Sequence, residues 1–242
     1  MKDEKKKLEG ILLVDKPSEW TSHDVCNFIK KRFKVSKVGH TGTLDPQATG
    51  VLVLLLGGYT KLSARFTNCE KQYSGTIELG VSTTTQDGDG EVVERKDWRH
   101  IRPEQVQGVF RTFMGPQKQI PPMISAIRSG GVRLYKLARK GYEVKRKKRD
   151  IFIYDIKCDK IDLPYIDFTI VSSKGTYIRT VAHDIGEKLG VGAYLKNLCR
   201  MRNGSFHIND CVEIDALKRI KTKDELSNYV QKDFSYINGS LQ

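Results

Sequence analysis

One loop constrains this chain more than any other stretch: Gly39, Gly42 and Gly50 punctuate a segment that holds a single carboxylate, Asp45, followed by Pro46. Directly after it comes an unbroken apolar run, residues 51–56. Glycine permits positive φ and close backbone approach, and a following proline drives Asp45 toward an extended conformation. A carboxylate on such a loop, seated against a buried strand, can serve as nucleophile or base. Taken alone, the same residues describe an ordinary Gly/Pro-rich turn.

The remaining pattern alternates short strands and helices without a regular β-α-β rhythm. Residues 10–15 read as a buried strand ending in a Lys16-Pro17 turn. Thr21 or Ser22 can cap a helix carrying Val25, Phe28, Ile29 and Phe33 at helical spacing. Residues 71–79 read as a strand with Tyr73, Gly75, Ile77 and Leu79 on one face, and residues 86–90 as a turn or mobile loop. Pro103 opens a helix with Val106, Val109, Phe110 and Phe113, closed at Gly115-Pro116. Further strands are expected at 151–158 and 165–173, a helix at 177–189, an extended basic segment at 195–206, and two small helices near the C-terminus. This is an α+β pattern with a mixed, largely antiparallel central sheet flanked by helices. A charged tail, residues 1–9, expected to be disordered, precedes one domain, residues 10–242.

Charge narrows the partner. Lys and Arg number 42 against 29 Asp and Glu, a net +13, which favours a polyanion because phosphate contacts release counterions. A membrane surface would call for a basic amphipathic helix or a lipidation signal, and neither is found, nor a secretory h-region. Five scattered cysteines form no Cys-x-x-Cys pair or metal spacing. No Walker loop, Rossmann fingerprint or serine elbow is present. A soluble, cytoplasmic protein with reduced thiols and without cofactor or metal is therefore expected. Two cationic clusters, residues 145–149 and Arg200 with Arg202, fit either a solvated surface or an RNA contact.

In this order the motifs resemble the TruB family of tRNA pseudouridine synthases. The resemblance is carried by residues 10–17, the 39–50 loop, Lys71-Gln72-Tyr73, Pro121-Pro122, Arg133-Leu134-Tyr135, residues 173–179, and Gly192-Ala193-Tyr194 with residues 200–204. It covers roughly residues 10–206 and implies the pseudouridine synthase fold, with RNA in a basic cleft. It also implies an isomerase that turns uridine into pseudouridine, usually the uridine at position 55 in the T-loop of tRNA. On this resemblance Asp45 is the essential carboxylate, either attacking covalently or removing the C2′ proton, and Arg179 pairs with it. Tyr73 stacks on the uracil and can assist loss of the C5 proton. His40 lies near the extruded nucleotide, Lys16 and Tyr177 support the site wall, and Arg200 and Arg202 contact RNA. The partner is the tRNA T-arm and the protein a monomer.

This chain departs from the family pattern in three places. Thr84 stands where relatives commonly carry an acid, Ile124 replaces a tyrosine, and Ile127-Arg128 replaces Leu-Lys. About 36 residues follow Phe206, too few for a complete PUA module. Competing readings are the catalytic subunit of a guide-RNA-directed synthase, whose relatives usually retain that module, and a noncatalytic RNA-binding protein or tRNA-folding chaperone.

Overall fold

The computed structural model describes residues 7–125, 127–138 and 140–232, so residues 1–6 of the predicted N-terminal tail lie outside the described residues. Contacts divide the chain into two compact units: residues 1–73 with 199–242, and residues 74–198. The chain starts in the first unit, passes through the second, and returns.

The first unit opens with β1 (Gly10–Lys16), whose residues Ile11, Leu12 and Val14 are fully buried. Helix α1 (Ser22–Arg32) follows, started by a capping box in which Thr21 and Asp24 satisfy each other's backbone N–H groups. Strand β2 (Val38–His40) pairs with β3 (Thr49–Leu56), and the Asp45 loop lies between them. β3 is buried on both faces from Gly50 to Leu56, as its unbroken apolar run requires. On one side Leu52, Leu54 and Leu56 pack with Val25, Ile29 and Phe33 of the α1 region; on the other Val51, Val53 and Leu55 pack with Phe66 and Phe206. A short helix α2 (Ser63–Thr67) leads to β4 (Lys71–Leu79), which begins in the first unit and ends in the second.

The second unit contains a hairpin of β5 (Val81–Thr83) and β6 (Val92–Arg95), then α3 (Pro103–Arg111) with proline in its first turn. Gly115 and Pro116, read from sequence as a helix stop, open strand β7 (Gly115–Gln119). A two-residue hairpin, β8 (Arg128–Ser129) and β9 (Val132–Arg133), precedes α4 (Leu134–Ala138). Strand β10 (Arg149–Asp162) is longer than its sequence pattern suggested and pairs antiparallel with β7 and with β11 (Tyr165–Ser172). Helix α5 (Ile178–Leu189) ends on Gly190 in the left-handed conformation, and β12 (Ala193–Asn203) carries the chain back to the first unit.

There β12 pairs parallel with β3 through Cys199 and Arg200, and β13 (Phe206–His207) turns back on it. Strand β14 (Val212–Glu213) lies parallel to β1, followed by α6 (Ile214–Arg219), α7 (Lys223–Ser227) and β15 (Val230–Gln231), which closes on β1. The first unit therefore has a mixed sheet, with β1 and β3 antiparallel, and the β7–β10–β11 part of the second is antiparallel. The α+β class expected from sequence is what the structure has.

Gly186 sets how closely α5 approaches the turn into β12. A Cβ there would sit 2.2 Å from the Ala193 nitrogen and 2.3 Å from the Gly192 carbonyl carbon, main-chain atoms that cannot swing away. Overpacking of this kind costs about 1–3 kcal/mol. Gly186→Ala is expected to lower the denaturant midpoint accordingly, with the slope of the transition unchanged. An unshifted midpoint would show that α5 is not seated against this turn.

Candidate active site

The loop between β2 and β3 is fixed by its neighbours in sequence and by three buried side chains. Its entry is tied by Thr41, whose N–H donates to Val53 O at 3.1 Å. On the N-terminal side of Asp45, the Ser22 hydroxyl accepts from Leu44 N at 2.8 Å and donates to Leu44 O at 3.1 Å. On the C-terminal side, the Lys16 ammonium donates to Pro46 O at 2.9 Å, and Glu19 N donates to the same carbonyl at 2.9 Å. Lys16 also bonds Pro17 O at 2.8 Å and Trp20 O. Ala48 N closes a turn on Asp45 O at 3.1 Å, and Gly50 N donates to the Asp15 carboxylate at 3.1 Å. Leu44 is buried, whereas Asp45 is half-buried beside exposed Thr43, Pro46 and Gln47. Asp45 thus sits, partly exposed, on a backbone held at both of its neighbours.

Lys16 and Arg200 are 0% and 1% exposed, which is rare for cations unless they are paired or hydrogen-bonded. Burial pushes the Lys16 ammonium down to about 8, with the Asp45 charge opposing and the Arg200 charge adding to the shift. The Arg200 guanidinium donates to Val51 O at 2.7 Å and Gly42 O at 3.1 Å. Read from sequence as an RNA contact, it instead lies inside the protein on main-chain carbonyls of the loop. His40, on β2, is held below the usual histidine range by burial, then by the charges of Arg200 and His23.

Tyr73 is 8% exposed on the buried face of β4. The start of that strand is braced by Lys71, which donates to Thr67 O at 2.8 Å and to Cys69 O. Arg202 is half-buried: it pairs with Glu70 at 2.7 Å and donates to Gly204 O at 2.9 Å.

In the second unit Arg179 occupies the first turn of α5 and is 4% exposed. It donates to Thr85 O and Ile124 O, each at 2.9 Å, and pairs with Asp87 at 3.3 Å. Asp87 in turn accepts from the Thr85 hydroxyl and from Asp89 N at 3.1 Å. The segment around it is ordered by Thr83, whose hydroxyl donates to Asp87 O at 2.7 Å, and by Gln86, which accepts from Thr180 at 2.8 Å. Tyr177, the N-cap of α5, is gripped at both backbone groups by Gln119: its N–H donates to Oε1 at 2.8 Å and its carbonyl accepts from Nε2 at 3.0 Å.

Ser22, Gln119 and Asp87 were not among the sequence-derived site residues. Asp87 had a local signal, a carboxylate among Thr83, Thr84 and Thr85, the composition that builds side-chain-capped turns. Ser22 was read only as a helix cap, and Gln119 carried no signal. All five cysteines are free thiols, and no helix among the described residues is long and apolar enough to cross a membrane.

Comparison with known proteins places the chain in a family. The model of the TruB family pseudouridylate synthase N-terminal domain matches residues 30–178, and that of the tRNA pseudouridylate synthase B C-terminal domain matches residues 179–232. Two family models thus describe pseudouridylate synthase sequence from residue 30 to residue 232. A tRNA pseudouridine synthase B of Geobacter sulfurreducens is 44% identical over 221 residues, covering 91% of this chain and 73% of that protein. One from Opitutus terrae is 44% identical over 216 residues, covering 89% and 90%. Among solved structures, a chain of a Cbf5-Nop10-Gar1 complex superposes with a TM-score of 0.71 at 28% identity; 92% of this chain is covered, which spans 60% of that one. The chain belongs to the TruB family of pseudouridine synthases.

The Lys16 anchor predicts a pH signature. Its folded pKa is about 8 against 10.5 for the unfolded side chain, so between those values the unfolded state binds more protons and stability rises with pH. Below about 8 the full burial penalty applies; above 10.5 it is gone. The unfolding free energy of wild type minus that of Lys16→Met is therefore expected to climb across this window in denaturant titrations. A flat difference would mean that Lys16 is not buried as a cation.

Proposed function

We infer that this chain isomerises uridine to pseudouridine in tRNA, acting on the uridine at position 55 of the T-loop. The observation that carries the reading is the half-buried carboxylate of Asp45, whose two sequence neighbours are fixed by Ser22 and Lys16. The reaction breaks the N1–C1′ bond, turns the uracil, joins C5 to C1′, and exchanges the C5 hydrogen for one on N1. It needs a carboxylate held where C1′ or C2′ arrives, whether it bonds to the nucleoside or takes the C2′ proton, and fixed geometry lowers the barrier of either route.

Asp45 is assigned that role, and Arg179 the role of orienting its carboxylate. The target base must leave its stack at a cost of a few kcal/mol, and stacking on Tyr73 returns about 1–3 kcal/mol. His40 is assigned to the space beside the extruded nucleotide. Lys16 and Tyr177 hold the wall of the site: Lys16 through Pro46, Tyr177 as the anchored start of the helix bearing Arg179. Arg202 and the exposed Lys145, Lys147, Lys148 and Arg149 offer positive charge to phosphate. No step requires a metal or cofactor. The protein works as a cytoplasmic monomer on the T-arm. The higher identity to a tRNA pseudouridine synthase B than to a chain of a Cbf5-Nop10-Gar1 complex, 44% against 28%, favours a tRNA enzyme that needs no guide RNA over a guide-directed subunit.

The test is tritium release from a T-arm hairpin labelled at uracil C5, with no other RNA present. Wild type is expected to discharge the label in full. Asp45→Asn is expected to release none while binding the hairpin with unchanged affinity, the pattern of a residue acting on the chemical step. Turnover by Asp45→Asn would remove this residue from the mechanism, and a wild type that binds without release would leave an RNA-binding chaperone.

A further inference from the structure

We propose that Arg200 is a positioning residue for Asp45, tying the two ends of the catalytic loop together through main-chain carbonyls. The inference rests on the functional reading above, in which Asp45 acts on the uridine. Arg200 lies on β12 with 1% of its surface exposed. Its Nε donates to Val51 O at 2.7 Å, just past the loop, and its Nη2 to Gly42 O at 3.1 Å, before Asp45. The loop leaves and re-enters the protein between these acceptors, so one rigid guanidinium sets the distance across its base.

The main chain of Arg200 completes the tie. Gly50 pairs with Arg200 in the parallel β3–β12 bridge and holds φ at +98°. A Cβ at residue 50 would fall 2.3 Å from Arg200 O and 2.7 Å from Arg200 N. The exit of the loop is thus pressed onto the Arg200 backbone while the side chain of the same residue reaches to the entry.

The chemistry calls for arginine in particular. Its planar fork offers five donors in fixed directions, whereas a lysine ammonium is a point donor on a flexible stem. An apolar residue of similar volume would fill a buried site without the cost of desolvating a charge. What it would not do is hold two carbonyls at a set separation. Lys16 and His40 feel the same buried charge, so the cationic floor under the loop is shared, but Lys16 holds the loop at Pro46 and Arg200 holds it at both ends.

The experiment compares Arg200→Lys, Arg200→Gln and Asp45→Asn with wild type, using the full chain and a C5-tritiated T-arm hairpin under single-turnover conditions. Hairpin affinity and thermal midpoint are measured on each protein. Arg200→Lys, which keeps the charge and one of the two ties, is expected to slow the saturated rate about 10- to 100-fold, the scale of an ångström of misplacement. Its affinity for the hairpin should stay at the wild-type value, and it should be faster than Arg200→Gln. Arg200→Lys carries the comparison by itself if the glutamine variant does not fold. Weakened affinity with a wild-type saturated rate would overturn the proposal in favour of an RNA contact. Wild-type rates in both variants, beside an inactive Asp45→Asn, would overturn it while leaving the functional reading intact. Turnover by Asp45→Asn would overturn that reading, and the proposal with it.

Discussion

The structure depends on hydrogen bonds that buried polar side chains make to the backbone on either side of one aspartate. Ser22 holds Leu44 at both its N–H and its carbonyl, and Lys16 holds the carbonyl of Pro46. Arg200 joins Gly42 to Val51. None of these side chains needs to touch the Asp45 carboxylate to fix the backbone that carries it. Their donors and acceptors act on atoms every residue has, so the loop between them can vary in side chain while keeping its path.

Holding a loop in this way has a cost that explains its setting. Two cations and a serine hydroxyl are buried beneath it, and a buried charge is tolerated only when its hydrogen-bonding capacity is met. Here the acceptors are carbonyls, three on Lys16 and two on Arg200, and the Asp45 charge favours keeping Lys16 protonated. The apolar clusters on both faces of β1 and β3 supply the rigid base. A loop of this kind is preorganised by the core it grows out of, and in the role proposed for Asp45 that would reduce solvent reorganisation during the reaction. In the second unit the same device recurs: Gln119 fixes the backbone of Tyr177, and the peptide carbonyls of Thr85 and Ile124 hold the Arg179 guanidinium.

This also explains which parts of the molecule could be read from sequence. The 51–56 run read as a central strand from its length and unbroken apolar character, and the Thr21 cap, the Pro103 helix start and the alternation of residues 71–79 each mark their element locally. Asp45 stood out because glycines and a proline surround it. Its supports did not, because a hydrogen bond to a main-chain carbonyl leaves no requirement on the partner residue's type. Lys16 and Pro46 are 30 positions apart, and Arg200 and Val51 are 149 apart. Arg200 therefore looked like one more arginine in a basic run, and Lys16 by itself like a turn after a strand, its place in the site wall coming from the family resemblance alone. Residues 86–90 read as a turn or a mobile loop because of their glycines, and the threonines around Asp87 and the Arg179 pairing hold them as a turn.

The central claim, that the aspartate loop is rigid before any RNA arrives, is tested most directly by amide hydrogen exchange on the RNA-free protein. Leu44 N–H, bonded to the Ser22 hydroxyl, and Gly50 N–H, bonded to Asp15, are the informative probes. The account predicts that both exchange as slowly as the amide of Leu54 in the middle of β3, opening only with the whole first unit. Exchange of Leu44 and Gly50 at the rate of an exposed loop, with Leu54 still protected, would contradict it.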